Sequence, residues 1–198
     1  MLTKNIRFKN FVIKSKKQKM KKIFENLKKD YFDGKLKLLS CLSKNYKYSF
    51  NKKLITKYKN YNYFRVIGMG GSILGAEAIY NFLSHKIKKN FIFLNNNNIE
   101  SNLKIKKNTI NIIISKSGNT LETISTSNII IKKNKKNIII TENKNNYLND
   151  LANKFKAEVV EHKNYIGGRY SVLSEVGMLP AELMGLNEKK FKRFNYLI

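Results

Sequence analysis

The chain has 198 residues and a hydrophobic fraction of 42%, which is enough for one compact domain with a buried core. One cysteine, Cys41, and one proline, Pro180, exclude a disulfide scaffold and a proline-rich linker. No apolar run reaches the roughly 18 residues that a membrane span needs, and the basic residues 1–17 lack the apolar stretch of a signal peptide. We therefore expect a protein of the reducing cytoplasm.

The formal net charge is +27, which would attract nucleic acids and anionic membranes. The sequence has 36 lysines but only 4 arginines, and asparagine and isoleucine are as conspicuous as lysine. The three abundant residue types have A- and T-rich codons, whereas arginine, the better reader of phosphates and base edges, is scarce. The composition therefore favours a solvated basic surface, and we expect no specific nucleic-acid partner and no membrane partner.

Residues 1–62 form a predicted N-terminal cap with helical and irregular segments. Within it, residues 17–29 carry four apolar side chains at helical spacing, which predicts an amphipathic helix with a lysine-covered outer face. Residues 31–63 show no firm period. We expect short helical pieces there that cover the domain that follows.

From residue 63 onwards, short apolar runs alternate with segments of helical period. The predicted strands are residues 64–67, 91–94, 109–114, 137–140 and 158–160, and the helices between them are 74–83, 121–132 and 147–155. Strands rich in isoleucine and valine that alternate with helices predict an α/β fold, a doubly wound parallel sheet of about five strands flanked by helices. Ligands of such sheets bind beyond the carboxyl ends of the strands, so we expect chemistry in the loops after the first and third strands.

The loop after the first strand contains Gly68, Gly70 and Gly71, followed by Ser72. Glycines let a strand turn tightly into a helix and let backbone N–H groups approach an anion. We expect Ser72 to cap the helix and to offer a hydroxyl to a ligand. A dinucleotide fingerprint is not matched, because no acidic residue closes the next strand. A glycine-rich turn without a ligand is the alternative.

The loop after the third strand concentrates hydroxyl groups and a lysine in a strand-to-helix turn, at Ser115, Lys116, Ser117 and Thr120. Their donors surround one point, and the dipole of the following helix favours an anion there. An ordinary helix cap explains any one of these residues but not all of them together. The loop therefore predicts a site for a compact phosphate.

A third motif, Gly167-Gly168-Arg169, precedes an apolar segment, residues 172–183, that is predicted as a helix. The glycines give the backbone freedom to bring Arg169 into the cleft, where its guanidinium could stabilise an oxyanion. An arginine beside a helix N-terminus is unfavourable unless an anion balances it. We therefore favour a functional role for Arg169 over a surface salt bridge.

Together the three motifs resemble the glucose-6-phosphate isomerase (phosphoglucose isomerase) family, and the third reads GGRYSVLSEVGMLP from Gly167. The resemblance covers residues 63–186 and implies the first sugar-isomerase domain of that family, with residues 187–198 as the start of a linker or continuation. It implies the reversible isomerisation of glucose 6-phosphate and fructose 6-phosphate through an enediolate, a step of glycolysis and gluconeogenesis, without a metal or cofactor. The family often has threonine at the position of Asn119.

Carried over residue by residue, the resemblance assigns a phosphate site, a border of the sugar and a group that stabilises the enediolate. The residues are Ser115, Lys116, Ser117 and Thr120 for the phosphate, Gly71 and Ser72 for the sugar, and Arg169 for the enediolate. The family takes its base and its ring-opening group from a second domain, and neither His85 nor His162 matches them. We therefore expect the N-terminal half of an isomerase that needs a second isomerase domain and that is a homodimer when full-length. A stand-alone domain that binds or senses sugar phosphates without catalysis is the alternative.

Overall fold

The computed structural model describes residues 17–43, 45–95, 108–131 and 136–192. The strands are β1 (Tyr63–Gly68), β2 (Asn90–Leu94), β3 (Thr109–Ile114), β4 (Asn137–Thr141) and β5 (Glu158–Glu161). The helices are α1 (Lys17–Phe32), α2 (Lys52–Tyr58), α3 (Leu74–Phe82), α4 (Leu121–Ile130), α5 (Tyr147–Phe155), α6 (Glu175–Leu183) and α7 (Glu188–Phe191). The predicted strands are therefore confirmed to within one residue at each end.

The five strands form one parallel sheet in the order β2-β1-β3-β4-β5. Strands β1 and β3 lie side by side, with Tyr63 opposite Thr109 at one end and Gly68 opposite Ile114 at the other. After β1 the chain forms β2 on one side of this pair, and after β3 it forms β4 on the other side. The carboxyl ends of β1 and β3 consequently form the switch point where parallel α/β sheets bind ligands. The expected doubly wound sheet is confirmed.

The sheet is buried on both faces, as a run of isoleucines in a parallel sheet predicts. Val66 of β1 belongs to a core layer that includes Tyr58 of α2 and Val176 of α6. The neighbouring side chain, Ile67, belongs to the opposite layer, which includes Leu148 of α5. Helices thus cover both faces, so a ligand would meet the sheet at its strand ends.

One polar pair interrupts the apolar interior of the sheet. The side-chain amide of Asn111 in β3 donates to Asn137 Oδ1 in β4 at 2.8 Å, and both side chains are buried. The two asparagines are register partners, and Arg65 of β1 stands opposite Asn111 on the other side. A buried polar row therefore crosses the three central strands near their amino ends, away from the switch point.

The described part of the N-terminal cap contacts the rest of the protein through Ser43 and residues 46–58 and not through the apolar stripe of α1. The predicted amphipathic helix is confirmed, but its apolar side chains are 48–67% exposed, at Met20, Ile23, Phe24 and Leu27. Tyr58 of α2, in contrast, is buried in the core. None of the helices in the described ranges is long and apolar enough to span a membrane.

The expectation of one helix over residues 172–183 is wrong at its start, because α6 begins at Glu175. The hydroxyl of Ser174 accepts a hydrogen bond from Val176 N and so caps the helix. Val172 packs against α6 instead of belonging to it, since a Cβ on Gly177 would come within 2.1 Å of the Val172 carbonyl oxygen. The apolar residues before the cap continue the hydrophobic pattern of the helix without sharing its conformation.

Candidate functional site

The loop after β1 turns through Gly70, whose φ of +55° lies in the left-handed region that glycine adopts readily. Residues 70–72 form a single 3₁₀ turn before α3. Ser72 was expected to cap α3, and this expectation is wrong, because Ile73 occupies the cap position and no side chain caps the helix. The 3₁₀ turn leaves Ser72, which is half-buried, one position too early for that bond.

Gly71 brings this loop against the loop that carries Arg169. A Cβ on Gly71 would lie 2.1 Å from the carbonyl oxygen of Gly168 and 2.9 Å from Arg169 N, so only glycine fits. The hydroxyl of Ser171 lies 2.6 Å from the Gly168 carbonyl oxygen and 3.3 Å from that of Gly71. The first and third motifs, distant in sequence, are therefore in backbone contact.

The loop after β3 gathers its hydroxyl groups by hydrogen bonds within the loop. Ser115 is buried, and its Oγ lies 2.8 Å from Thr120 Oγ1 and accepts from Gly118 N at 3.2 Å. The exposed Ser117 accepts from Asn119 N at 3.2 Å. Gly118 has a φ of +70°, which permits this tight turn. The hydroxyls of Ser115 and Thr120 thus lie together, whereas that of Ser117 bonds to its own turn.

This loop also leaves the N-terminus of α4 without a side-chain cap. Thr120 holds the cap position, but its hydroxyl makes no cap bond. Helices α5 and α6, in contrast, are capped by their own Asn146 and Ser174. The first N–H groups of a helix need acceptors, and the helix dipole makes that end positive. The N-terminus of α4 is therefore suited to an anion held by the hydroxyls in front of it.

Lys116 reaches two groups that the sequence did not point to. Its Nζ donates to the Asn164 carbonyl oxygen at 2.6 Å and lies 3.5 Å from Glu142 Oε1. Burial alone would raise the pKa of Glu142, but Lys144 and Lys116 together hold that pKa below its ordinary value. Glu142 follows β4 directly and so lies at the carboxyl end of the sheet, although its contact with Lys116 depends on the pairing of β3 and β4.

Arg169 lies in an exposed 3₁₀ turn, residues 168–170. The argument that it stands beside a helix N-terminus is wrong, because α6 begins only at Glu175 behind its own cap, Ser174. Arg169 makes no hydrogen bond or ion pair with any residue in the described part of the chain. Together with Gly71 it borders a mainly apolar groove of about 660 Å³, whose other lining residues come chiefly from α3 and include Val172.

The two histidines lie outside these three loops. His162 follows β5 and is only 1% exposed, and its Nδ1 lies 3.1 Å from the Lys163 carbonyl oxygen. Burial lowers the pKa of His162, so its neutral form is favoured. His85 is exposed in a 3₁₀ turn after α3.

A family model described as phosphoglucose isomerase matches residues 54–195. Among curated relatives, the glucose-6-phosphate isomerase of Methanocaldococcus jannaschii is 37% identical over 157 residues, which are 69% of this chain and 37% of that protein. The probable glucose-6-phosphate isomerase of Methanococcus maripaludis is 30% identical over 206 residues, covering 94% of this chain and 46% of that protein. The chain thus spans less than half the length of these relatives.

Solved structures share the fold at lower identity. A glucose-6-phosphate isomerase from Chlamydia trachomatis superimposes with a TM-score of 0.58 and 23% identity, covering 72% of this chain and 30% of that one. A hypothetical protein from Thermus thermophilus gives a TM-score of 0.63, also at 23% identity, over 71% of this chain and 38% of that one.

Proposed function

The chain belongs to the phosphoglucose isomerase family, and on that premise we propose that it forms the phosphate-binding half of an enzyme that interconverts glucose 6-phosphate and fructose 6-phosphate. The observation that carries this proposal is the contact between the Ser115 and Thr120 hydroxyls before the uncapped N-terminus of α4, with Ser117 in the same loop. Hydroxyls, helix N–H groups and the ammonium of Lys116 are the donors that a phosphate monoester dianion requires.

The sugar would extend from this loop towards the contact between the first and third motifs. Gly71 and Ser72 would border it, and Arg169 would face the reacting carbons. Isomerisation moves a proton between adjacent carbons through an enediolate, and the negative charge on its oxygen is strongest in the transition state. In the described part of the chain the guanidinium of Arg169 has no protein partner. It can therefore stabilise the negative charge on that oxygen.

The reaction also needs a base with a pKa near the working pH. Glu142 is a carboxylate at the edge of the phosphate loop, and two lysines hold it ionised with a lowered pKa. Glu122, in the first turn of α4, is a second one. His162 is buried below the loops. We therefore propose that the base and the ring-opening group come from the remaining length of the family's proteins, and that this chain alone binds substrate without turning it over.

The same proposal includes the organisation of the whole enzyme. Residues 63–186 are the sugar-isomerase domain, residues 1–62 its cap, and residues 187–198 the start of a linker or continuation. The assembled enzyme is a cytoplasmic homodimer whose second isomerase domain completes each site.

Calorimetric titration with glucose 6-phosphate, inorganic phosphate and glucose tests the proposal. We expect the first two to compete for one site and glucose to bind far more weakly, because most of the donors face the phosphate. Equal affinity for glucose and glucose 6-phosphate would contradict the assignment of the loop after β3.

A coupled assay of fructose 6-phosphate conversion separates the half-enzyme from a stand-alone binding domain. The chain is assayed alone and as a fusion to the remaining portion of the Methanococcus maripaludis relative. We expect activity only in the fusion. Turnover by the chain alone would place the base within residues 1–198, and an inactive fusion that still binds substrate would favour the binding domain.

A further inference from the structure

The ammonium of Lys116 is engaged by two groups of the protein itself. It donates to the Asn164 carbonyl oxygen at 2.6 Å and lies 3.5 Å from Glu142 Oε1. The backbone repeats this pairing, since Glu142 N donates to the Lys116 carbonyl oxygen at 3.1 Å. Lys116 and Glu142 are therefore fixed relative to each other by the ends of two neighbouring strands, and their contact is part of the fold.

Glu142 is a strong partner for Lys116 because it is both charged and shielded. Its side chain is 12% exposed, and Lys144 contacts its second oxygen. The lysines lower its pKa, so the carboxylate is ionised at neutral pH. A phosphate at the same loop would carry charge of the same sign as this carboxylate, so the two would compete for Lys116.

We propose that Glu142 is an internal anion that competes with the substrate phosphate for Lys116 and thereby lowers the affinity of the loop for phosphate. The inference rests on the proposed function, in which Lys116 contacts the phosphate. An anion with one negative charge gains little by replacing a carboxylate that is already in place. A phosphate dianion carries more charge and three acceptor oxygens, so it can draw the ammonium away from Glu142. Separating the pair costs part of the free energy that the phosphate gains from Lys116, so Glu142 sets how tightly phosphate binds.

The experiment measures the affinity for inorganic phosphate and for acetate at pH 8 in Glu142→Gln, which keeps the shape of the side chain and removes its charge. Glu161→Gln is the matched control, because Glu161 ends the adjacent strand β5 and pairs with Lys163 at 3.5 Å, away from Lys116. Both variants change the net charge equally. Any difference between them therefore reports the local contact with Lys116.

We expect Glu142→Gln to bind phosphate about two- to fivefold more tightly than Glu161→Gln, the range of an ion pair that is partly exposed to solvent. Acetate recruits Lys116 less strongly, so its affinity should rise no more than that of phosphate. Glu142→Asp, which keeps the charge but draws it back by one methylene, should show a smaller gain. In a Lys116→Ala background the gain from Glu142→Gln should disappear.

Two results would overturn the inference. One is a Glu142→Gln protein that binds phosphate no more tightly than Glu161→Gln, and the other is a gain that persists without Lys116, which would mean direct repulsion of the anion. Failure of the proposed function looks different. In that case the Lys116→Ala variant would bind phosphate as tightly as the unsubstituted protein.

Discussion

The hydroxyl of Tyr46 donates to the carboxylate of Glu175, at 3.0 and 2.9 Å from its two oxygens, and so joins the N-terminal cap to the first residue of α6. Glu175 is fully buried, and it also accepts from Ser49 N at 3.0 Å. Burial raises the pKa of Tyr46, which therefore remains a donor. A buried carboxylate is tolerated only while such donors surround it.

Removing one of these donors should destabilise the whole domain. We expect Tyr46→Phe to lower the free energy of unfolding by about 1–3 kcal/mol, the cost of leaving a buried acceptor without its partner. Tyr170→Phe is the control, because Tyr170 is 62% exposed. Urea unfolding followed by circular dichroism measures the free energy of unfolding of both variants. Equal stability of the two variants would mean that the tie between the cap and α6 contributes little.

The contact between the first and third motifs predicts opposite responses at two glycines. Gly71→Ala places a methyl group 2.1 Å from the Gly168 carbonyl oxygen and must push the two loops apart, whereas a Cβ on Gly168 meets nothing within 4 Å. We expect Gly71→Ala to destabilise the protein by about 1–3 kcal/mol and to weaken glucose 6-phosphate binding more than inorganic phosphate binding. Gly168→Ala should leave both affinities near those of the unsubstituted protein. Larger effects of Gly168→Ala than of Gly71→Ala would show that the two loops do not need to come this close.

His162 should make stability depend on pH. Burial lowers its pKa below the ordinary value of 6.5, so the folded state binds this proton less readily than the unfolded state. Its contribution to stability is therefore complete above pH 6.5 and is lost as the pH falls below that value. The free energy of unfolding should decline between pH 8 and pH 5, and His162→Asn should reduce this decline. His85→Asn, at an exposed position, should retain the decline, and a decline of the same size in both variants would contradict the assignment to His162.

Arg169 should matter more for turnover than for binding in the assembled enzyme. Its charge would strengthen its contact as the enediolate forms, and such interactions act on kcat more than on KM. We expect Arg169→Ala in an active fusion to lower kcat by a factor of about 10²–10³, with a smaller change in KM. Arg169→Lys should restore part of the loss. A variant that changed KM alone would indicate a role in substrate binding only.

The basic surface should bind nucleic acid weakly and without sequence preference. With 36 lysines and 4 arginines, binding should depend on phosphate neutralisation and should therefore fall steeply with salt. Fluorescence anisotropy with two unrelated duplexes, at 50 and 200 mM salt, measures this dependence. A complex that persists at the higher salt and distinguishes the duplexes would contradict the interpretation of the charge as a solvated surface.

The sequence predicted the strands well because short isoleucine and valine runs bounded by polar residues usually form buried strands in an α/β protein. The start of α6 was less predictable, since the apolar Val172 continues the helix pattern although Ser174 provides the cap. The approach of Gly71 to Gly168 could not be predicted, because it depends on how two distant loops pack. Glu142 was missed for a similar reason, as its partnership with Lys116 exists only across neighbouring strand ends.

The asparagine pair in the sheet bears on the alignment of the isoleucine-rich strands β3 and β4. Strands β3 and β4 set Ile112, Ile113 and Ile114 opposite Ile138, Ile139 and Ile140. Sliding one strand by two residues would keep every side chain on its own face, but it would set Ile113 opposite Thr141 and Ile114 opposite Glu142. The same slip would set Asn111 opposite Ile139 and leave its amide without the bond to Asn137, at a cost of about 1–3 kcal/mol. The amide pair at one end of the strands and the isoleucine match along them therefore favour the same alignment.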